Sequence, residues 1–330
     1  MPTFEEVYRA RKERVDRIPV DSVHAYYEIM VARFIIFSAS LPFALGSLLA
    51  FERTGQWNWA VFAISSLAVF LIMGAVNAGN TYYDYELDKD NWDFSVYSGG
   101  IRVLVEERIT NRKRALYFAL GLLAVAFPLG LILYFVFHTG PWTLPMGVVG
   151  ALAGWFYTGW PLKLVYRGLG ELVVATCSGM LTVVAGYYLQ AGGFSWAIAP
   201  LALGLAFSIL NGILINEFPD VPADARHHKM TFLVRFGKEV SSKVYLVNVV
   251  LTGLSFLSAP LWGLPWYGAW PGLLLAAPLM VKNFRRVLAG AHLIDINDVT
   301  LDTFKVHVSL MLGSCAGLLI AGLGRALGLL

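Results

Sequence analysis

Charge is what this sequence has least of: 14% of its 330 residues are Asp, Glu, Lys or Arg, where soluble domains carry about a quarter. That deficit excludes a disordered chain and a soluble enzyme built on one aqueous-facing core. The composition equally argues against a nucleic-acid binder. Cysteine is scarcer still. The two present, Cys177 and Cys315, sit inside apolar runs, so no disulfide framework or thiolate metal site is available and both read as packing residues. No short apolar core with a small-residue cleavage site opens the sequence, and acids interrupt its first residues, so a secretory signal is not expected there.

What is present instead is hydrophobicity, 57% of residues with a mean hydropathy of +0.63, gathered in runs of roughly 20 residues that each suffice to cross a ~30 Å hydrocarbon core. The runs fall at about 30–50, 59–79, 115–137, 141–158, 171–190, 195–216, 243–263, 265–281 and 305–329. They predict an all-α, polytopic membrane protein of nine transmembrane helices in one bundle. Residues 1–28 form a separate N-terminal segment before this 29–330 domain; Arg9, Arg11, Lys12, Arg14 and Arg17 stand there among Phe4, Val7, Tyr8, Val15 and Ile18. That pattern predicts an amphipathic helix lying on the membrane surface.

With nine spans, all of the 25 Lys and Arg except Arg53 and Arg325 fall on one side, which the positive-inside rule makes cytosolic. All of the 22 Asp and Glu except Glu52 fall there too. Acids contribute little to topology, so their one-sidedness asks for another cause, and function on that face supplies it. An integral protein of a prokaryotic plasma membrane, with a cytosolic active site, is the expectation.

The acids are patterned. After the second run comes N-T-Y-Y-D-Y-E-L-D-K-D, placing Asn80, Asp84 and Asp88 four apart, with Asp90 following; after the sixth comes N-E-F-P-D-V-P-A-D, where Asn216, Asp220 and Asp224 repeat the spacing. Side chains at i, i+4 and i+8 share one helix face, although Pro219 and Pro222 favour a broken helix in the second copy. Two oxygen-only stripes suit a hard cation completed by substrate phosphate oxygens, which describes Mg²⁺. His227 and His228 are the nearest softer donors and are not expected as ligands. Basic residues stand where a diphosphate would need them: Arg102 after the first motif, Lys163 and Arg167 beside Tyr157 between the fourth and fifth runs, and Lys229 and Arg235 after the second motif. Mg²⁺ with Lys and Arg donors binds a diphosphate and stabilises it as it leaves. Lys163 and Arg167 read equally well as topology or lipid-headgroup contacts.

Two N-x-x-x-D-x-x-x-D motifs after the second and sixth of nine spans resemble those of the UbiA superfamily of intramembrane prenyltransferases, over about residues 30–330. Within it, N-T-Y-Y-D, S-G-G-I-R-V-L-V-E, Y-R-G-L-G-E and N-E-F-P-D look most like the menaquinone branch, the 1,4-dihydroxy-2-naphthoate polyprenyltransferases. The sequence departs from that branch in carrying Asp88 where Gly is usual, beside Asp90 at the usual acid position, and in opening its first span with Ala32-Arg33-Phe34 in place of Arg-Pro. The resemblance implies that an isoprenyl diphosphate binds through Mg²⁺ held by Asn80, Asp84 and either Asp88 or Asp90, and by Asn216, Asp220 and Asp224. It further implies ionisation of the allylic carbon–oxygen bond and attack by a lipophilic or aromatic acceptor. Other acceptors of the superfamily (4-hydroxybenzoate, a chlorophyllide, haem, a glycerol phosphate lipid precursor) remain open. A cation transporter is the reading from another class, disfavoured because no acid lies near mid-span.

Overall fold

The computed structural model describes residues 4–95, 97–290, 293 and 296–327; residues 1–3 of the N-terminal segment and the end of the expected 305–329 run lie outside them. Among the described residues every regular element is helical. A lipid-spanning backbone must satisfy its N–H and C=O groups within its own segment, and a helix does so.

Seven helices among the described residues are long and apolar enough to cross a membrane: Ala32–Thr54, Trp59–Tyr83, Arg112–Phe135, Gly170–Ala191, Trp196–Asn216, Phe232–Trp262 and Ile296–Arg325. The two other expected runs are also helical. Thr143–Thr158 has only 16 residues, about 24 Å at 1.5 Å per residue, and Trp270–Leu288 ends on Lys282, Arg285 and Arg286. By length and apolar composition, seven of the nine expected runs qualify as spans among the described residues.

Lipid gives helices no hydrophobic reason to associate, so close packing must supply it. A Cβ on Gly46 would stand 2.0 Å from the Val183 carbonyl oxygen, and one on Gly186 2.1 Å from that of Phe43. Glycine at both places lets the first span and the Gly170–Ala191 span lie backbone against backbone, and Ser47 Oγ donates to the Gly186 carbonyl at 3.2 Å. Around this contact Leu45, Val183, Leu201, Leu205, Phe256 and Leu310 form the main buried cluster.

At one end of the bundle the first and last spans are tied together. Arg325 Nη1 donates to Glu52 Oε1 at 2.7 Å, its Nη2 pairs with Glu52 Oε2, and Tyr267 Oη donates to Glu52 Oε1 at 2.6 Å. These are two of the three charges that sequence placed opposite the acidic motifs.

The N-terminal helix Phe4–Asp16 packs part of its apolar side against the protein. Val7 and Val15 are buried, and Tyr8 packs against Trp92 and Phe94, at ring separations of 5.9 and 6.4 Å. Lys12 reaches Glu106 at 3.3 Å and Arg108 reaches Asp16 at 3.4 Å. The partner of this amphipathic face is the loop that follows the first acidic motif.

Candidate active site

The Trp59–Tyr83 span carries Asn80 on its last turn and gives way at Asp84, whose φ of −89° and ψ of 8° leave the helix. A short helix, Tyr85–Asp90, follows. Because Asp88 N still donates to the Asp84 carbonyl at 2.8 Å, the four-residue register survives the break. The Trp196–Asn216 span ends likewise in a turn and a second short helix, Val221–Arg226, with Pro222 in its first turn where a missing N–H costs nothing.

These two ends meet over one cavity of about 170 Å³, with Asn80, Asp84 and Asp88 on one side and Asp220, Asp224 and Lys229 on the other. Lys229 Nζ donates to Asp84 Oδ2 at 3.1 Å and stands 3.7 Å from Asp224 Oδ1. Tyr166 Oη donates to Asp84 Oδ1 at 2.9 Å, and Thr158 Oγ1 to Asn80 Oδ1 at 2.6 Å. Asp220 is cradled by Asn91 Nδ2 at 2.9 Å, Ser98 Oγ at 3.0 Å and Gly99 N at 3.2 Å. The backbone of Gly100, at φ 66°, comes so close to the Asp88 carboxyl that a Cβ there would lie 2.2 Å from it. The loop after the first motif thus touches both motifs.

Electrostatically the cavity is short of positive charge. Burial, reinforced by Asp84, pushes the Asp88 carboxyl well above its ordinary range. Burial also raises Asp220, against the bonds it accepts, and raises Asp224 to about 7, where Lys229 offsets part of the effect. For Lys229 burial works against the charge, but Asp84 and Asp224 outweigh it and hold the ammonium protonated. Four acids line the cavity with Lys229, while Arg11 and Arg102 act on them from outside it, an acid excess at the lining that a divalent ion would offset.

The remaining expected site residues are placed differently. Asp90 faces outward, its carboxylate 3.2 Å from His227 Nε2; Asp88, not Asp90, lines the cavity. The buried Arg102 donates to the Asp88 carbonyl at 3.0 Å and to Glu106 at 3.0 Å, so it braces the first motif from behind. Asn216 Oδ1 is buried with no hydrogen-bond partner. Tyr157 lies near enough to Lys229 to act on its charge. Lys163 has its ammonium over the Tyr166 ring at 4.9 Å, Arg167 donates to the Pro161 carbonyl at 3.4 Å, and Arg235 donates to the Met230 carbonyl at 3.0 Å. None of these last three lines the cavity.

Sequence reasoning missed Glu171 and Glu217, both buried. Burial and the neighbouring Glu171 raise Glu217 well above the usual carboxylate range, and Glu171 Oε1 accepts from the Phe232 amide. The available signal was an acid at the head of an apolar run in Y-R-G-L-G-E.

Whether these residues fit a metal ion is decided by their donors. Among the described residues no three acids, histidines or cysteines already stand at ligating distance from one point. An ammonium takes the place between Asp84 and Asp224, and Asp224 Oδ1 and Asn216 Oδ1 lack hydrogen-bond donors. An all-oxygen set with unsatisfied acceptors, held by a movable cation, fits Mg²⁺.

The sequence profile of the UbiA prenyltransferase family matches residues 40–290. The chain belongs to that family. It is 30% identical, over 76% of its length and 84% of the relative's, to 1,4-dihydroxy-2-naphthoate octaprenyltransferase of Mycobacterium tuberculosis (strain ATCC 25618 / H37Rv). It is 28% identical to 2-carboxy-1,4-naphthoquinone phytyltransferase of Synechocystis sp., over 64% of this chain and 66% of that relative. Its fold matches a UbiA homolog from Archaeoglobus fulgidus bound to GPP and Mg²⁺, with a TM-score of 0.61 at 14% identity, covering 89% of this chain and 99% of that one. The prenyltransferase family and the likeness to naphthoate enzymes agree with the motif reading.

Proposed function

We propose that this UbiA-family protein transfers an isoprenyl group from its diphosphate to a naphthoate-type aromatic acceptor, with Mg²⁺, releasing diphosphate. The observation that carries this reading is the meeting of Asp84 and Asp88 with Asp220 and Asp224 across one cavity that also holds Lys229. The names of the naphthoate relatives favour the acceptor class, and the Mg²⁺ in the archaeal relative favours the metal.

In this reading Asp84, Asp88, Asp220 and Asp224, with the amide oxygens of Asn80 and Asn216, would hold Mg²⁺, which when bound would supply positive charge to a diphosphate leaving group. Lys229, already poised between two carboxylates, donates to the leaving diphosphate, with Tyr157 and Tyr166 beside it. Lys163, Arg167 and Arg235 form a basic surface outside the cavity that draws the anion inward, and Arg102 positions the segment bearing Asp88. The allylic carbon–oxygen bond breaks and its electron pair leaves with the diphosphate, an electron-rich ring carbon forms the new carbon–carbon bond, and the proton of that carbon passes to the released diphosphate. A cavity at the end of a helix bundle keeps water from the carbocation. All nine helices cross the membrane in this reading, the two shorter ones tilting little, and the motif end faces the cytosol because the basic residues crowd there.

The test is incubation of the purified protein in lipid nanodiscs with a labelled prenyl diphosphate, Mg²⁺ and a panel of acceptors. Prenylated dihydroxynaphthoate that disappears on chelation is the expected product. Label in 4-hydroxybenzoate or a glycerol phosphate instead overturns the acceptor assignment, and turnover in excess chelator overturns the metal.

A further inference from the structure

The N-terminal helix lies outside residues 40–290 matched by the family, yet one of its side chains reaches the loop that serves both acidic motifs. Arg11 Nη1 donates to the carbonyls of Ser95 at 3.1 Å and Ser98 at 2.6 Å, and Nη2 donates to that of Gly100 at 3.0 Å. Its guanidinium carbon sits 4.9 Å from the Phe94 ring centre, and that of Arg102 sits 5.3 Å from the same ring. The carbonyls it binds belong to, or lie next to, the groups that hold the acids. Ser98 Oγ and Gly99 N donate to Asp220, and Gly100 abuts Asp88. Gly99 and Gly100 both have positive φ, 79° and 66°, a conformation glycine enters and leaves with equal ease, so bonds from outside the loop decide how well it is held. A planar guanidinium fork can bind three carbonyls of one loop in fixed geometry; a lysine ammonium cannot match that spacing.

We propose that Arg11 is a positioning residue for the metal site: through the carbonyls of Ser95, Ser98 and Gly100 it holds Asp220 and Asp88 at their mutual distance. The N-terminal helix is then part of the active-site architecture and not a membrane anchor. The proposal rests on the Mg²⁺-dependent reading above.

The experiment compares full-length wild type, Arg11→Ala, Arg11→Lys, Lys12→Ala and Ser98→Ala in nanodiscs by two measurements that do not need turnover. One is Mn²⁺ binding by electron paramagnetic resonance with geranyl S-thiolodiphosphate present; the other is hydrogen exchange of the peptide covering residues 91–101. Arg11→Ala is expected to weaken Mn²⁺ binding about tenfold, the low end for the partner of a metal ligand, and to speed exchange in that peptide alone. Arg11→Lys recovers only part of this. Lys12→Ala, which removes another tether of the same helix, changes neither measurement. In a cycle with Ser98→Ala the losses are less than additive, because both act through one loop. Millimolar guanidinium partly rescues Arg11→Ala. Unchanged Mn²⁺ binding in Arg11→Ala, equal effects from Lys12→Ala, or strict additivity with Ser98→Ala overturns the proposal. Wild type that binds no Mn²⁺ overturns the underlying functional reading instead. If Arg11→Ala fails to fold, Arg11→Lys and Ser98→Ala decide, and normal Mn²⁺ binding by both counts against the role.

Discussion

Two acids compete for one role in the first motif, and helix geometry separates them. At about 100° per residue, Asp90 lies ~200° round the axis from Asp88. The break at Asp84 could have reset that phase, but the short helix Tyr85–Asp90 resumes it, leaving Asp88 in the cavity and Asp90 beside His227. Asp88→Asn is therefore expected to cut prenyl transfer by at least about a hundredfold, the upper figure for even an outer-shell metal partner. Asp90→Asn loses an exposed ion pair, worth about 0–1 kcal/mol, and is expected to stay within a fewfold of wild type. Rates measured across a Mg²⁺ titration check this, and a larger effect at Asp90 would reverse the assignment. The spacing of Asn80, Asp84 and Asp88 was readable because it is local. The ion pair of Lys229 with Asp84 was not: the two lie 145 positions apart, and spacing carries no information across such a separation. Arg102 misled for a related reason, since a basic residue beside an acidic motif looks the same whether it faces the cavity or braces its wall.

At the scale of helices, apolar runs marked the long helices but not where they begin. The run expected from 243 starts as a helix at Phe232, capped by Thr231 Oγ1, and bends at Gly237, whose φ of 77° and ψ of 169° are not helical. Hydropathy is an average along the chain, and Arg235, Lys238, Glu239 and Lys243 lower it over the first turns of that helix. The π-helical stretches Ile36–Ser40 and Val174–Leu181 likewise left no mark in the sequence, because a widened turn changes hydrogen bonding and not composition. Small residues were visible without their roles. Gly46→Ala puts a methyl 2.0 Å from the Val183 carbonyl oxygen, whereas Gly121 has open space about it. Thermal unfolding in detergent should therefore show Gly46→Ala destabilised by about 1–3 kcal/mol, as for overpacking. Gly121→Ala should be neutral or up to about 1 kcal/mol more stable from helix propensity. Equal behaviour of the two would show that the close approach does not matter.

Across the whole molecule, the charge map gave a bundle with nearly all its ionic groups at one end and three strays at the other. Two of those strays, Glu52 and Arg325, prove to be partners separated by 273 positions. Arg325→Ala leaves the Glu52 carboxylate with Tyr267 as its remaining donor and no counter-charge, and should lower the melting temperature. Adding Glu52→Ala should recover part of that, and melting curves for the four members of the cycle measure the coupling; additive losses would mean the pair does no more than its separate parts. The pairing also has a consequence in time. The first span is made early and the last span late, so a ribosome-bound chain carries Glu52 through the synthesis of every intervening helix before Arg325 exists. Until then that carboxylate has Tyr267 at most for a partner, and only the final helix brings it a counter-charge.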